Sequence, residues 1–251
     1  TLWAMGWNAH GQLGTGSTVD QTTPVQIDAN VTAVSSRNHS LYAKTDGSLW
    51  VMGRNNKGQL GDGNVNDRHT PVKIVDANVT AVETGWEFSL FLKSDGSVWS
   101  MGSNGTTKSL GYGGLDDQVT PVKVMSSGAV AIETGNIHGL IIRTDGSLWV
   151  FGSDWSGKLG EGEVADRGTP IKIVDSGVVS VAAGTYHSLF VKEDGSLWGM
   201  GRNHKGQLGN DQAEKFVFPF LILDSGATKV SAAENHSLVL MQDGSVLAFG
   251  S

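Results

Sequence analysis

Apolar and polar positions alternate along this chain in short runs that return at a near-constant interval. In the stretch that begins at Asn30, Val31-Thr-Ala-Val34 alternates and is rich in β-branched residues, which predicts a first strand. His39-Ser-Leu-Tyr-Ala43 predicts a second. Asp46-Gly47 between them and the next run is a hairpin signal, because glycine accepts the positive φ of a two-residue turn. Ser48-Leu-Trp-Val-Met52 predicts a third strand, apolar at nearly every position, as in a strand covered on both faces. A polar loop follows from Arg54 to Gly61, and Pro71-Val-Lys-Ile74 predicts a fourth strand. Proline has no N–H for a ladder, so this strand should begin at or form a sheet edge.

The same sentence is spoken five times. Asp-Gly-Ser-Leu-Trp begins at Asp46 and returns, with small changes, at Asp95, Asp145, Asp194 and Asp243, in steps of 49, 50, 49 and 49 residues. Pro24, Pro71, Pro121, Pro170 and Pro219 keep the same beat. A period in this range means a repeat architecture in which no unit buries its own apolar face. Four antiparallel strands per unit, repeated radially, make an all-β β-propeller. Residues 1–251 then form a single domain. A β-solenoid fits less well, because its strands wind in parallel and the Asp-Gly hairpins do not.

Leu2-Trp-Ala-Met-Gly6 and Val246-Leu-Ala-Phe-Gly250 are two copies of the third-strand phrase. Five blades close into a ring if the C-terminal first, second and third strands share a blade with the N-terminal fourth strand near Thr23 to Ile27. One third strand is then surplus, and its free edge offers self-association through the terminal strands. An excerpt from a larger ring is the alternative. The chain opens at Thr1 within a strand phrase, as a mature or trimmed segment does.

Composition narrows the function. The 35 glycines fall at regular positions, as turn-rich β structure requires. The absence of cysteine removes disulfides and thiolate zinc sites. A net charge of −7 argues against nucleic acid as a partner. No run of about 18 apolar residues occurs, so no membrane-inserting helix is expected. No catalytic constellation is visible: there is no Gly-x-Ser-x-Gly elbow, and the Gly-Gln-Leu-Gly loops lack the Gly-Lys-Ser/Thr ending of a phosphate cradle. The expectation is a non-enzyme without metal or cofactor.

Gly184-Thr-Tyr-His-Ser-Leu189, Asp194-Gly-Ser-Leu-Trp-Gly-Met-Gly201 and Asn203-His-Lys-Gly-Gln-Leu-Gly209 resemble the regulator of chromosome condensation repeat, and the resemblance runs over the whole chain. It implies a propeller, classically of seven blades. The family includes a chromatin-bound exchange factor for a small GTPase. It also includes secreted bacterial proteins, among them a propeller-type β-lactamase inhibitor. The acidic balance, the lack of cysteine and the short uniform units resemble the bacterial branch, which implies an extracellular or cell-surface setting.

Residues that recur in every unit read as scaffold, and residues that break the pattern as candidate sites. His39, His138, His187 and His236 recur, with Phe88 at the fifth position. Equivalent positions lie a blade apart, too far to share a metal at about 2 Å, so buried, hydrogen-bonded structural histidines are expected. Trp3, Trp50, Trp99, Trp149 and Trp198 recur and read as packing between blades. Asp20, Asp67, Asp117 and Asp166 read as turn caps. Trp7, Trp86 and Trp155 do not recur. They fall in connections that alternation of strand direction places on one end, together with Arg37, Ile137 and Tyr186. Unrepeated aromatics on such a rim anchor interfaces, so these six residues are the candidate contact for a protein partner. Phe216, Phe218 and Phe220 form a second apolar run, as a contact patch or a closure seam. The expected function is a protein-binding scaffold. A carbohydrate-binding propeller, an assembly module using the surplus strand and an inhibitor of a secreted enzyme are the alternatives.

Overall fold

The computed structural model describes residues 1–211 and 214–251. Strands β1 (Leu2–Gly6) and β2 (Gln21–Asp28) form a two-stranded sheet. β3 (Val31–Ser36), β4 (His39–Lys44), β5 (Leu49–Gly53) and β6 (Arg68–Val75) form a four-stranded sheet in chain order. The same order recurs in β7 (Val79–Thr84), β8 (Phe88–Lys93), β9 (Val98–Gly102) and β10 (Gln118–Met125). It recurs again in β11 (Ala129–Thr134), β12 (His138–Arg143), β13 (Leu148–Gly152) and β14 (Arg167–Val174). The next sheet is β15 (Val178–Ala183), β16 (His187–Lys192), β17 (Leu197–Arg202) and β18 (Lys215–Leu223). β19 (Ala227–Ala232), β20 (His236–Met241) and β21 (Val246–Gly250) form a three-stranded sheet.

β1 pairs with β2 and β21 with β20, in two separate sheets. β2 takes as its partner the third-strand copy that precedes it in the chain, as the fourth strand of each four-stranded sheet does. The chain also divides into two compact units, Thr1–Thr106 with Tyr112–Ile132 and Thr107–Gly111 with Glu133–Ser251.

The repeated phrase is a hydrogen-bonded device. Asp46 Oδ1 accepts from Ser48 N at 2.9 Å and from Ser48 Oγ at 2.6 Å. Ser48 Oγ accepts in turn from Trp50 Nε1 at 2.9 Å. Asp95, Asp145 and Asp194 head identical chains that end on Trp99, Trp149 and Trp198. Gly47 between them has φ 76°, and a Cβ there would lie 2.4 Å from the backbone nitrogen of Asn78. Gly47 O accepts from Val79 N at 2.9 Å, so each hairpin is laid onto the start of the following repeat. The tryptophans are half-buried sheet cladding instead of full core. Trp50 stacks on Tyr42 at 6.2 Å, with Lys44 5.4 Å above its ring.

Fourth strands are longer than expected and begin three residues before the proline in β6 and β10. They are sheet edges, as the missing N–H requires. Val51 pairs with Val72 and Gly53 with Arg68, so Pro71 sits in a bulge with two extra residues. The same shift occurs at Pro121, Pro170 and Pro219.

The core lies between successive sheets. In the first unit Leu41, Leu49, Val51 and Leu60 pack with Val79, Val82, Phe91 and Met101 of the following repeat. In the second unit Leu189, Val191, Leu197 and Leu208 pack with Ala227 and Val239 in the same way. Without a neighbour on both faces the same phrase is exposed, as in β1 and β21.

Candidate functional site

In the first unit Trp7 is 54% exposed in the loop after β1, and Trp86 is 48% exposed in the β7–β8 turn. Trp7 meets His10 edge-on at 5.4 Å, and His10 Nδ1 lies 3.0 Å from Asp67 Oδ2. Arg37, exposed in the β3–β4 turn, donates from Nε to Thr84 O at 3.0 Å, two residues before Trp86. Arg54 after β5 reaches Glu87 at 3.6 Å. The loop after a third strand therefore meets the first turn of the next repeat, as strand alternation requires. Glu83 lies beneath, bonded by Ser35 Oγ at 3.3 Å, and burial pushes its carboxyl up to about 7.

In the second unit the two kinds of connection meet through aromatic rings. Trp155, 48% exposed in the loop after β13, stands edge-on to Tyr186 of the β15–β16 turn at 5.1 Å. Arg202 at the end of β17 lies 5.5 Å from the Trp155 ring and 4.9 Å from the Tyr186 ring. Tyr186 O accepts from both Ser156 Oγ and Arg202 N at 2.9 Å, which fixes the turn between the two loops. Ile137 is half-buried, and its carbonyl accepts from Ser153 N at 2.9 Å, holding the β11–β12 turn against the chain that leads to Trp155.

Below Trp155 the loop departs from its own repeat. In the loops that begin at Asn8, Asn55 and Asn203, an asparagine and a glutamine anchor the turn. Asn55 Oδ1 accepts from Leu60 N at 3.0 Å while its Nδ2 donates to Asn64 O and Asn66 O, and Gln59 Oε1 accepts from Lys57 N at 2.8 Å. Asp154 and Lys158 replace them. Asp154 Oδ1 still accepts from Leu159 N at 2.8 Å, but Oδ2 is buried without a partner. Lys158 is 0% exposed, and its Nζ has no hydrogen-bond partner and lies 5.3 Å from the Trp155 ring. Burial pulls the lysine down to about 8 and pushes Asp154 up to about 6. Motif reading missed Asp154, Lys158 and Arg202. The signal was present in Asp-Trp-Ser-Gly-Lys-Leu-Gly against Asn-x-x-Gly-Gln-Leu-Gly, but it appears only when the loops are aligned on one another.

His39, His138 and His187 serve the scaffold, whereas His236, expected to be buried with them, is exposed. His39 Nε2 meets Ser89 Oγ at 2.8 Å, and Ser89 Oγ donates to Gln59 O at 2.7 Å. His138 with Ser188 and Lys158 O, and His187 with Ser237 and Gln207 O, repeat this relay. Where the sequence loses the histidine, at Phe88, the following repeat also loses the serine, at Gly139. Phe151 occupies that space: a Cβ on Gly139 would lie 2.3 Å from its Cζ. The aspartates Asp20, Asp67, Asp117 and Asp166 accept from the backbone N–H of Asn8, Asn55, Asn104 and Asp154, which makes them turn caps.

The phenylalanine run divides at Pro219. Phe216 and Phe220 are half-buried with ring centroids 4.4 Å apart, and Phe216 packs on the Leu189–Val239 core. Only Phe218 is turned outward, over Gly162. The bulge breaks the alternation that would have put all three on one face.

A search of curated proteins finds no match. The solved structure of human WBSCR16 superposes with TM-score 0.86 at 19% identity, over 99% of this chain and 73% of that one. Yeast RCC1 (Prp20) bound to Kap60 gives TM-score 0.86 at 22% identity, over 99% and 65%. Prp20p from Saccharomyces cerevisiae gives 0.83 at 21%, over 99% and 67%. This chain thus spans roughly two thirds to three quarters of the length of those relatives and shares their β-propeller fold. The family model described as the RCC1-like domain matches residues 1–251. With its repeats, its antiparallel blades and this match over its full length, the chain belongs to the RCC1-like domain family.

Proposed function

We propose that this chain is a non-enzymatic propeller scaffold that binds a protein partner through the connections carrying Trp7, Arg37, Trp86, Ile137, Trp155 and Tyr186. The observation that carries the reading is the exposure of three large unrepeated aromatics on a scaffold that half-buries the repeated tryptophans of its complete sheets. Exposed tryptophan beside arginine is the residue chemistry of interface anchors. The solved structures of yeast RCC1 with Kap60, and of Prp20p with its binding to Gsp1p and histones, supply protein ligands as the class used by related folds. The net charge of −7 supports a protein over nucleic acid.

The test is affinity capture from the native source with the intact chain and with Trp7→Ala, Trp86→Ala and Trp155→Ala variants. Anchors at an interface should each weaken capture by about 2 kcal/mol or more while melting stays nearly constant. A fall in melting temperature, with capture unchanged in the fraction that stays folded, would return these residues to the scaffold.

A further inference from the structure

We infer that Arg202, Tyr186, Trp155 and Lys158 form a recognition site for the carboxylate of an aspartate or glutamate side chain on a protein partner. The inference rests on the protein-binding reading and names the chemistry of the partner.

Arg202 has an internal control in the same chain. Arg54 stands at the equivalent position and pairs with Glu87 of the following repeat at 3.6 Å. The position equivalent to Glu87 beside Arg202 is Asn235. Arg202 makes no ion pair among the described residues. Its guanidinium lies against Trp155 and Tyr186 instead, 5.5 and 4.9 Å from the ring centroids. A guanidinium held over aromatic rings without an ion-pair partner has N–H donors to offer a planar acceptor, and a carboxylate matches that fork with two parallel bonds.

Lys158 supplies the second observation. It is fully buried with an unpartnered Nζ at 5.3 Å from the same Trp155 ring. Asp154 and Asp166 are the carboxylates that face it, and neither comes within ion-pair distance. A buried ammonium without hydrogen bonds costs the fold several kcal/mol in desolvation. The uncharged asparagine and glutamine version of this loop, at Asn55 with Gln59 and at Asn203 with Gln207, avoids that cost. Scaffold stability therefore gives no reason for the lysine. Its effect is to place positive potential under Trp155 and beside Arg202. Lys205, exposed on the loop after β17, adds to that potential, while desolvation with Arg202 and Lys205 holds His204 below its ordinary value and Glu214 opposes that shift. The half-exposed indole gives the aliphatic stem of an acidic side chain a surface to lie on.

The experiment uses C-terminally amidated hexaglutamate, so that only side-chain carboxylates are offered. Binding is followed by NMR through the indole N–H resonance of Trp155, assigned by its loss in Trp155→Phe. The expected result is a saturable shift that weakens with salt, at least about tenfold weaker in Arg202→Gln and little changed in Arg54→Gln. Asn235→Glu is the second variant. It gives Arg202 the partner that Arg54 already has, and should abolish binding without lowering the melting temperature. An unshifted Trp155, equal shifts with hexaglutamine, or hexaglutamate affinity unchanged in both Arg202→Gln and Asn235→Glu would overturn the inference. A stronger response to oligothymidylate at the same residues would replace the carboxylate by phosphate. A partner captured equally by wild type and Arg202→Gln would leave the scaffold reading standing and remove only this site.

Discussion

His39 and His187 lie buried with Nε2 on a serine hydroxyl and Nδ1 unbonded. Burial pulls them down to about 3 and about 4, with Arg37 adding to the effect at His39 and His236 at His187. Unfolded, both titrate near about 6.5. Above that value they are neutral in both states. Below it the unfolded chain takes up protons that the folded chain refuses, so stability falls as pH drops from about 6.5 toward 3 to 4. Glu83 has the opposite sign. Held at about 7 against an ordinary 4.5, it keeps its proton in the fold, and stability is lost as pH rises through that window. Urea midpoints between pH 3 and 8 separate the two effects. His39→Phe, the residue that stands at position 88, should flatten the acid limb by up to one proton, about 1.4 kcal/mol per pH unit. An unchanged acid limb would mean that His39 is charged in the fold.

At the scale of strands, copies of one phrase do different work according to what covers them. Leu90 is fully buried in β8, and Leu90→Ala should cost about 2–5 kcal/mol. Ser97→Ala removes a buried link between Asp95 and Trp99 and should cost about 1–3 kcal/mol. Trp3→Ala changes the same kind of residue as Trp99, but on an exposed strand, and should cost no more than about 0.5 kcal/mol. Thermal melts of the three variants check this order.

That contrast also marks how far the sequence was legible. Asp46-Gly47, the third-strand runs and the prolines each have a local cause, a positive φ, a two-faced burial or a missing N–H, and the structure places them as expected. His39, His138 and His187 were legible as buried because they repeat, but His236, expected to be buried with them, is exposed. The division of Phe216 and Phe220 from Phe218 was not, because a two-residue bulge at Pro219 resets the alternation. Nor was the pairing of β1 with β2, because two similar third-strand phrases, Leu2–Gly6 and Val246–Gly250, both fit beside a fourth strand. Arg202 and Lys158 were hidden for a third reason. Arg202 matches Arg54, and only Asn235 at the position of Glu87, with the glutamate shifted one place to Glu234, makes it different.

At the scale of the whole molecule, the sheets differ in how many strands pair among the described residues. β1 has one partner where β5 has two, and β21 has one where β17 has two. We propose that the edges of β1 and β21 support self-association, as free backbone donors and acceptors do. Sedimentation velocity should then show a concentration-dependent dimer that Met5→Lys or Val246→Lys dissolves at constant melting temperature. A monomer at every concentration removes the proposal.

The relay from histidine to serine to loop carbonyl carries a consequence for how such a gene can change. Its partners stand 50 residues apart at His39 and Ser89, at His138 and Ser188, and at His187 and Ser237. Unequal crossing-over that removes or adds one whole copy brings another histidine against another serine, so the splice is chemically matched wherever the cut falls in the period. Loss of the copy bearing His187 would set His138 against Ser237. Loss of the copy bearing Phe88 would set His39 against Gly139, which has no hydroxyl to offer, and loss of the copy bearing Gly139 would set Phe88 against Ser188. Recombinants shortened by one copy in a library should therefore survive with those two deletions missing, and the length of this gene is free to drift everywhere except at the two copies that have lost the pair.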